Sequence, residues 1–242
     1  MTTDKRLENE VEHGRFLAEH GAGEIWNWTS PAGKIRFQRR VEMLTSALPN
    51  NAYVLELGCG TGLFTYEFAR KPIRLTAIDI SPDLLEEAKK TISAGNVSFK
   101  VENAYGMSFP DNSFDAVIGS SVLHHLDIEK ALHEIYRVLK PGGMIRFTEP
   151  NMLNPQIALQ KNIPWLKRKL GDSPDETAFF RRSLIRKLQN HDFTDVSVIS
   201  FDFLHPAIPP SLLPLALPMT GLAEKIPLLK AIAGSLFISA VK

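Results

Sequence analysis

Cysteine is almost missing from this chain: Cys59 is the only one among 242 residues. A single thiol closes no internal disulfide, so a reducing compartment is the expectation. Net charge is equally scarce, since 28 Lys and Arg against 27 Asp and Glu leave +1. That balance offers nothing to a polyanion, and nucleic acid is not an expected partner. An apolar leader is lacking too, because MTTDKRLENE is charged from Asp4 onward. No secretory signal reads that way, so the chain is expected to be cytoplasmic. Internal repeats and low-complexity stretches are absent. What remains is an ordinary globular composition, long enough to bury roughly 70–75% of its unfolded surface without staples.

A long apolar run is present, but its prolines spoil it. Phe203–Ala223 has no Asp, Glu, Lys or Arg over 21 residues, and it holds prolines at 206, 209, 210, 214 and 218. Each proline inside a helix costs about 3 kcal/mol. Lipid could not satisfy the backbone groups they free. The expectation is therefore a Pro-rich apolar loop serving as a lid, with a peripheral membrane contact as a further use. Residues 161–187 carry eight Lys or Arg against three acids, a patch suited to an anionic substrate or a membrane surface.

Residues 52–149 alternate apolar strands with helical patterns, which predicts an α/β fold with a mostly parallel sheet and helices on both faces. AYVLEL, IRLTAID, NVSFKVE, SFDAVIGSS and MIRFTE read as five strands in order. SPDLLEEAKKTI begins with a Ser81 cap and Pro82 at the first helical position. IEKALHEIYRVL has apolar residues at 128, 131, 132, 135, 138 and 139. Residues 1–48 read as a helical cap that includes SPAGKIRFQRRVEMLTSAL, with Trp26 and Trp28 just before it. Residues 150–242 read as a substrate-side region with a helix, AFFRRSLIRKLQNH, and two last strands. The whole chain, 1–242, is read as one domain.

The sharpest signal is VLELGCGTGLF, residues 54–64. A dinucleotide fingerprint, G-x-G-x-x-G, would need glycine where Leu63 stands. No Gly-Lys-Ser/Thr follows, which excludes a Walker-type phosphate loop. Glu56 ends the strand with a carboxylate where a pyrophosphate would lie. Two anions there would repel by about a few kcal/mol at an effective dielectric near 20. The loop prefers a nucleoside that carries positive charge.

Glu56-Leu57-Gly58-Cys59-Gly60-Thr61-Gly62 resembles the first motif of class I S-adenosylmethionine (SAM)-dependent methyltransferases. VENAYGMSFPDNSFDAV, LHHL and LKPGGMI resemble the later motifs of that family, and the likeness covers roughly residues 50–150. The variant is closest to small-molecule and quinone-pathway methyltransferases. The resemblance implies a Rossmann-like, doubly wound, seven-stranded sheet with N-terminal helices and a C-terminal apolar insertion. It also implies SAM as cofactor, with S-adenosylhomocysteine (SAH) as product. Glu56 and Gly58 would take the aminoacyl end and Gly60 would allow close backbone approach. Asp79 would take the ribose hydroxyls, Ile80 would pack on adenine, and Asn103 with Ala104 would hold its edge; Ser120 completes the set. Asn103 stands where the family usually has aspartate, and its carbonyl can still accept the adenine amino group. Glu102 is the lesser candidate for that role.

For chemistry, His124, His125 and Glu149 are the nominees for a general base. His124 and His125 lack the spaced partners of a metal site, and no metal is expected. One of Lys34, Arg36, Arg39 and Arg40 would meet the SAM carboxylate, although a solvated helix face explains four basic residues equally well. The expected activity is methyl transfer to a small acceptor, hydrophobic and lipid-like if the apolar lid is a guide. A SAM-binding sensor or partner subunit without catalysis is the alternative. The acceptor and the oligomeric state are not legible.

Overall fold

Short apolar runs bounded by turn residues make the sheet. The computed structural model describes residues 3–20, 27–173 and 175–242. The helical cap contains α1 (Thr3–His20) and α2 (Pro31–Thr45). The core follows as β1 (Tyr53–Leu57), α3 (Leu63–Phe68), β2 (Arg74–Asp79), α4 (Pro82–Thr91), β3 (Val97–Val101) and β4 (Phe114–Ser120). After a 3-10 turn at Leu123–His125 come α5 (Ile128–Val138) and β5 (Leu139–Pro150). The remainder is α6 (Pro155–Asn162), α7 (Pro164–Lys169), α8 (Arg181–Asn190), β6 (Thr194–Phe201), α9 (Leu213–Ala223), α10 (Pro227–Ala231) and β7 (Ser235–Val241).

The strands form one seven-stranded sheet in the order β3-β2-β1-β4-β5-β7-β6. Strands β1 to β5 are mutually parallel, and β7 runs antiparallel between β5 and β6. The order reverses between β1 and β4, and ligands of doubly wound folds bind at the carboxyl ends beside such a switch point. Successive residues of a strand face opposite layers. Leu55, Leu57 and Val117 accordingly join the core under α5 and α8, while Val54, Ala116 and Ile118 join the one under α2.

Local chemistry explains the elements that matter for the site. The Ser81 hydroxyl accepts from the Leu84 amide, and Pro82 starts α4 where no N–H is needed. Ser30 caps α2 in the same way, accepting from Gly33. In α5 the expected stripe is buried through Ala131, Leu132, Ile135 and Val138; Leu139 already belongs to β5. The Lys-Pro-Gly-Gly turn is absorbed within β5, where the pairing with β4 shifts register between Phe114 and Ala116. Helix α1 packs on α4 through Leu17 and Leu84.

The apolar run of residues 203–223 departs from the expected loop. Its last part is helical: a 3-10 turn at Pro210–Leu212 leads into α9. The expectation charged all five prolines to one continuous helix. Three of them precede α9, and Pro214 sits in its first turn, where a missing N–H costs nothing. Only Pro218 lies inside the helix. Among the described residues, no helix is long and apolar enough to cross a membrane. Trp26 lies outside the described residues.

Candidate functional site

One cavity of about 690 Å³ opens over the switch point, and its wall takes residues from the cap, the core and the substrate-side region. Its core half is built on the glycine loop. Gly58 and Gly60 have φ of +66° and +55°, where other residues are strained. A Cβ on Gly58 would stand 2.3 Å from Val122 Cγ2. Gly60 lines the cavity, and a Cβ there would meet nothing within 4 Å; it would fill space that is now open.

Asp79, at the end of β2, pins that loop: Oδ2 accepts from the Gly60 amide at 2.8 Å and Oδ1 from Ser81 at 2.9 Å. Burial raises its pKa, and these backbone amides pull it back. Each carboxylate oxygen keeps a lone pair, and Asp79 and Ile80 line the cavity. Asn103 and Ala104 line it as well. Asn103 Oδ1 accepts from the Tyr105 amide at 3.0 Å, which fixes the turn and leaves one acceptor site. Glu102 is engaged with the amide and hydroxyl of Ser108. Ser120 reaches the cavity with its hydroxyl 2.9 Å from that of Thr148.

Glu56 lies behind the loop, 2% exposed, and is not part of the cavity lining. Its Oε2 is buried with no hydrogen-bond partner, and so is Thr65 Oγ1 beside it. Burial lifts the Glu56 pKa to about 8, Thr65 holds it back, and Asp79 adds to the rise. From behind the loop that carboxyl can stabilise a positive charge in the cavity through space. On that observation, with the open space at Gly60, the residues present fit a sulfonium nucleoside.

The basic residues of α2 divide their tasks. Arg40 is buried between Asp202 Oδ2 at 2.7 Å and Ser235 Oγ at 2.6 Å. Burial lowers its pKa to about 10, so it stays charged. Arg39 binds Glu224, and Lys34 is exposed. Arg36 gives only Nε to Asp202, at 2.8 Å, and its remaining N–H groups face no partner among the described residues while it lines the cavity. Two arginines against one aspartate leave this wall positive. Trp28 packs edge-on against Phe37 and Phe64 and carries Arg36 and Arg40 on its ring, so it is packing and cavity wall at once.

The opposite half gathers the nominated catalytic groups and others that no motif announced. His124 is buried with Nδ1 2.6 Å from Glu149 Oε2 and Nε2 3.0 Å from Glu176 Oε1. Burial alone would lower its pKa; the carboxylates on either side overrule that and hold it at about 9. Glu149 also accepts from the amides of Val122 and Leu123, which anchors the 3-10 turn to the end of β5. Burial would raise the Glu176 carboxyl, but His125, His124 and Lys161 around it hold it well below the usual range. Lys161 binds both Glu176 and Asp172. His125 lies near Glu176 and against the His124 ring, 4.3 Å between centroids, and its closest charged partner comes from α1. Its Nδ1 stands 2.9 Å from Glu10 Oε2, close enough for an ion pair yet outside hydrogen-bond alignment. Glu10 comes from α1 and also accepts from the Ser173 hydroxyl at 2.7 Å. The His13 ring, also from α1, lies stacked on His125 at 6.2 Å, and its Nε2 is buried without a partner.

Glu10, His13, Lys161, Asp172 and Glu176 were not among the expected site residues; the last three entered only as members of the charged stretch 161–187. Glu10 sits among the other acids of a polar helix, and Glu176 follows no recognisable pattern. His124, His125 and Glu176 do come within 4.8 Å of one another, a spacing that could hold a metal ion. Both ring nitrogens of His124 already face carboxylates, and Lys161 occupies Glu176, which suits a closed ion network better.

Residues 55–147 match the methyltransferase domain family. The ubiquinone/menaquinone biosynthesis C-methyltransferase of Pasteurella multocida is 34% identical over 193 residues, covering 75% of this chain and 72% of that protein. The enzyme of the same description from Hydrogenovibrio crunogenus is 33% identical over 153 residues. There the match covers 59% of this chain and 60% of the relative, less than two thirds of its length. A SAM-dependent methyltransferase from Thermotoga maritima, described as a possible histamine N-methyltransferase, shares the fold with a TM-score of 0.68 at 20% identity. That likeness covers 95% of this chain and 97% of the other. A chain 34% identical to a curated methyltransferase over 72% of that protein's length, around this glycine loop, belongs to the class I SAM-dependent methyltransferases.

Proposed function

We propose that this chain transfers the methyl group of SAM to a small, largely apolar acceptor that carries an ionisable hydroxyl. The names of the ubiquinone/menaquinone biosynthesis relatives make a quinol-like ring the first choice. One observation carries the reading: a single cavity joins the glycine-loop half to the His125–Glu10 half.

In this reading Gly58 and Gly60 let the backbone close on the cofactor, and Asp79 accepts from ribose with its remaining lone pairs. Ile80 packs on adenine while Asn103 and Ala104 hold its edge, and Ser120 completes the floor. Arg36 takes the carboxylate of the aminoacyl tail, and Glu56 balances the positive charge from behind the loop. Bound SAM supplies an electrophilic methyl on sulfur. The protein's main contribution is to hold two reactants in line, an effect worth up to about 7–11 kcal/mol. His125 accepts the acceptor's hydroxyl proton through Nε2, which makes the ring electron-rich; once the ring carbon has taken the methyl group it loses its hydrogen as a proton, and the hydroxyl is restored. His124 and Glu149 act by holding the turn that carries His125. Phe203–Ala207 cover part of the acceptor space.

Calorimetric titration of the purified chain with SAH and with NAD tests the cofactor half. Saturable SAH binding without NAD binding is expected, and NAD binding alone overturns the reading. Incubation with SAM and short-chain demethylated quinols, followed by mass spectrometry, tests the acceptor. A methylated ring is expected; cofactor binding without any methylated quinol removes the quinol-like acceptor.

A further inference from the structure

The segment between β6 and β7 leaves the cavity wall and returns to it. Phe203–Ala207 line the cavity at one end, and Gly234 with Ser235 at the other. Between them α9 and α10 bury none of their residues. Nine large apolar side chains from Leu212 to Ile232 are exposed, led by Leu228 at 85%, Leu215 at 63%, and Met219 and Leu222 at 61%. Monomeric proteins seldom expose so contiguous an apolar patch without a use for it.

The chemistry of the patch selects its occupant. Leu-Pro-Leu-Ala-Leu-Pro-Met-Thr-Gly-Leu-Ala is apolar on every side, with no polar stripe to turn outward. Leu213, Ala216, Thr220 and Ala223 are half-buried along one stripe, and the exposed remainder of α9 is apolar throughout. A helix that is apolar all round belongs in a non-aqueous medium. With 11 residues α9 is about 16 Å long, too short for a hydrocarbon core of about 30 Å. Charge points the same way. Glu224 is the only acid from residue 203 to the end, and it turns inward to Arg39 Nη1 at 2.7 Å and the Asp202 amide at 2.9 Å. Lys225 and Lys230 remain as the charged residues of the patch. Apolar bulk with flanking cations fits the interface of an anionic bilayer.

We propose that α9 and α10 dip into an anionic membrane at the boundary of headgroups and acyl chains, with Lys225 and Lys230 at the headgroups and the lipid itself as the partner. The docking stands on the patch alone. Its use, to bring a lipid-tailed acceptor past Phe203–Ala207 without crossing water, rests on the acceptor reading given above.

Sedimentation of the full chain with vesicles tests the docking. Vesicles of phosphatidylcholine mixed with phosphatidylglycerol should carry the protein down, and added salt should weaken the effect. Pure phosphatidylcholine should bind less. The double variant Leu215→Asp/Leu222→Asp should lose at least about tenfold in partitioning, with its circular dichroism and SAH affinity unchanged. Lys225→Glu/Lys230→Glu should abolish the preference for phosphatidylglycerol. The proposal is overturned if the wild-type chain ignores both vesicles, or if the leucine double variant partitions equally well. It is also overturned if the chain is a dimer that this variant dissociates while vesicles bind neither form. A failed quinol assay would leave the sedimentation result standing, so the two readings fail separately.

Discussion

Glu56 and the histidine pair show how much a side chain's surroundings decide its chemistry. Burial raises the Glu56 pKa to about 8 from an ordinary value of 4.5, so the fold favours its protonated form. Stability from that preference is full below the unfolded value and is lost as pH rises through the folded one. Glu56→Gln should therefore match the wild type in urea near about pH 5 and exceed it by about a few kcal/mol near pH 9. Parallel curves would remove the raised pKa. His124 and His125 are neighbours in sequence with opposite commitments. His124 is held by hydrogen bonds between two carboxylates, whereas His125 has Glu10 at 2.9 Å, Glu176 nearby without a hydrogen bond, and a face on the cavity. His125→Ala should lower kcat by about a hundredfold or more while leaving SAH affinity intact. Glu10→Gln should lower kcat less and shift the pH–rate profile, which a merely structural role of Glu10 would leave in place. Gly58, Gly60, Asp79 and Asn103 were legible because a local motif carries them. Glu10 and Glu176 were not, because they approach the histidines from chain positions more than fifty residues away, and one-dimensional spacing holds no trace of that.

Elements were legible where local signals agree with tertiary demand. Ser81-Pro82 and Ser30-Pro31 mark helix starts that the structure keeps, and the apolar runs become strands. The segment after Phe203 fails that test because its prolines were counted together, although only Pro218 interrupts a helix. Proline there deletes one backbone donor and crowds the carbonyl four residues earlier. Pro218→Ala should slow amide exchange over residues 219–223, since α9 regains that hydrogen bond; the gain is up to about 3 kcal/mol locally. Because α9 buries nothing, the global urea midpoint should hardly move. A large rise in that midpoint would mean α9 is coupled to the core. The ion network joins elements in the opposite manner. Lys161 of α6 binds Glu176 and Asp172, and Glu176 meets the 3-10 turn through His124. Lys161→Met would leave two buried carboxylates short of their cation and should cost about 3–5 kcal/mol in urea unfolding.

At the scale of the whole molecule, the buried ionisable groups around one cavity hold the pH optimum within definite bounds. Glu176, Asp202 and Glu10 have depressed pKa values, so their contribution is present above the ordinary carboxylate range and is lost as pH falls. Glu56 and His124 have raised values of about 8 and about 9, so theirs is lost as pH rises through those values. The two sets together place maximal stability between the carboxylate range and the raised values of Glu56 and His124, with the half-buried His13, its pKa lowered, opposing any further move toward acid. A near-neutral net charge of +1 would not have suggested this, because the effect comes from burial and pairing and not from the sum of charges. The cofactor should move the optimum. A positive charge at the loop favours ionised Glu56, so SAM binding should release a proton and relieve the loss above neutrality. Urea midpoints measured from acid to alkaline pH, with and without saturating SAM, should show the maximum displaced upward by the ligand. An upward shift in wild type that persists in Glu56→Gln would assign the effect to another group, and no shift in either protein would separate Glu56 from the cofactor altogether.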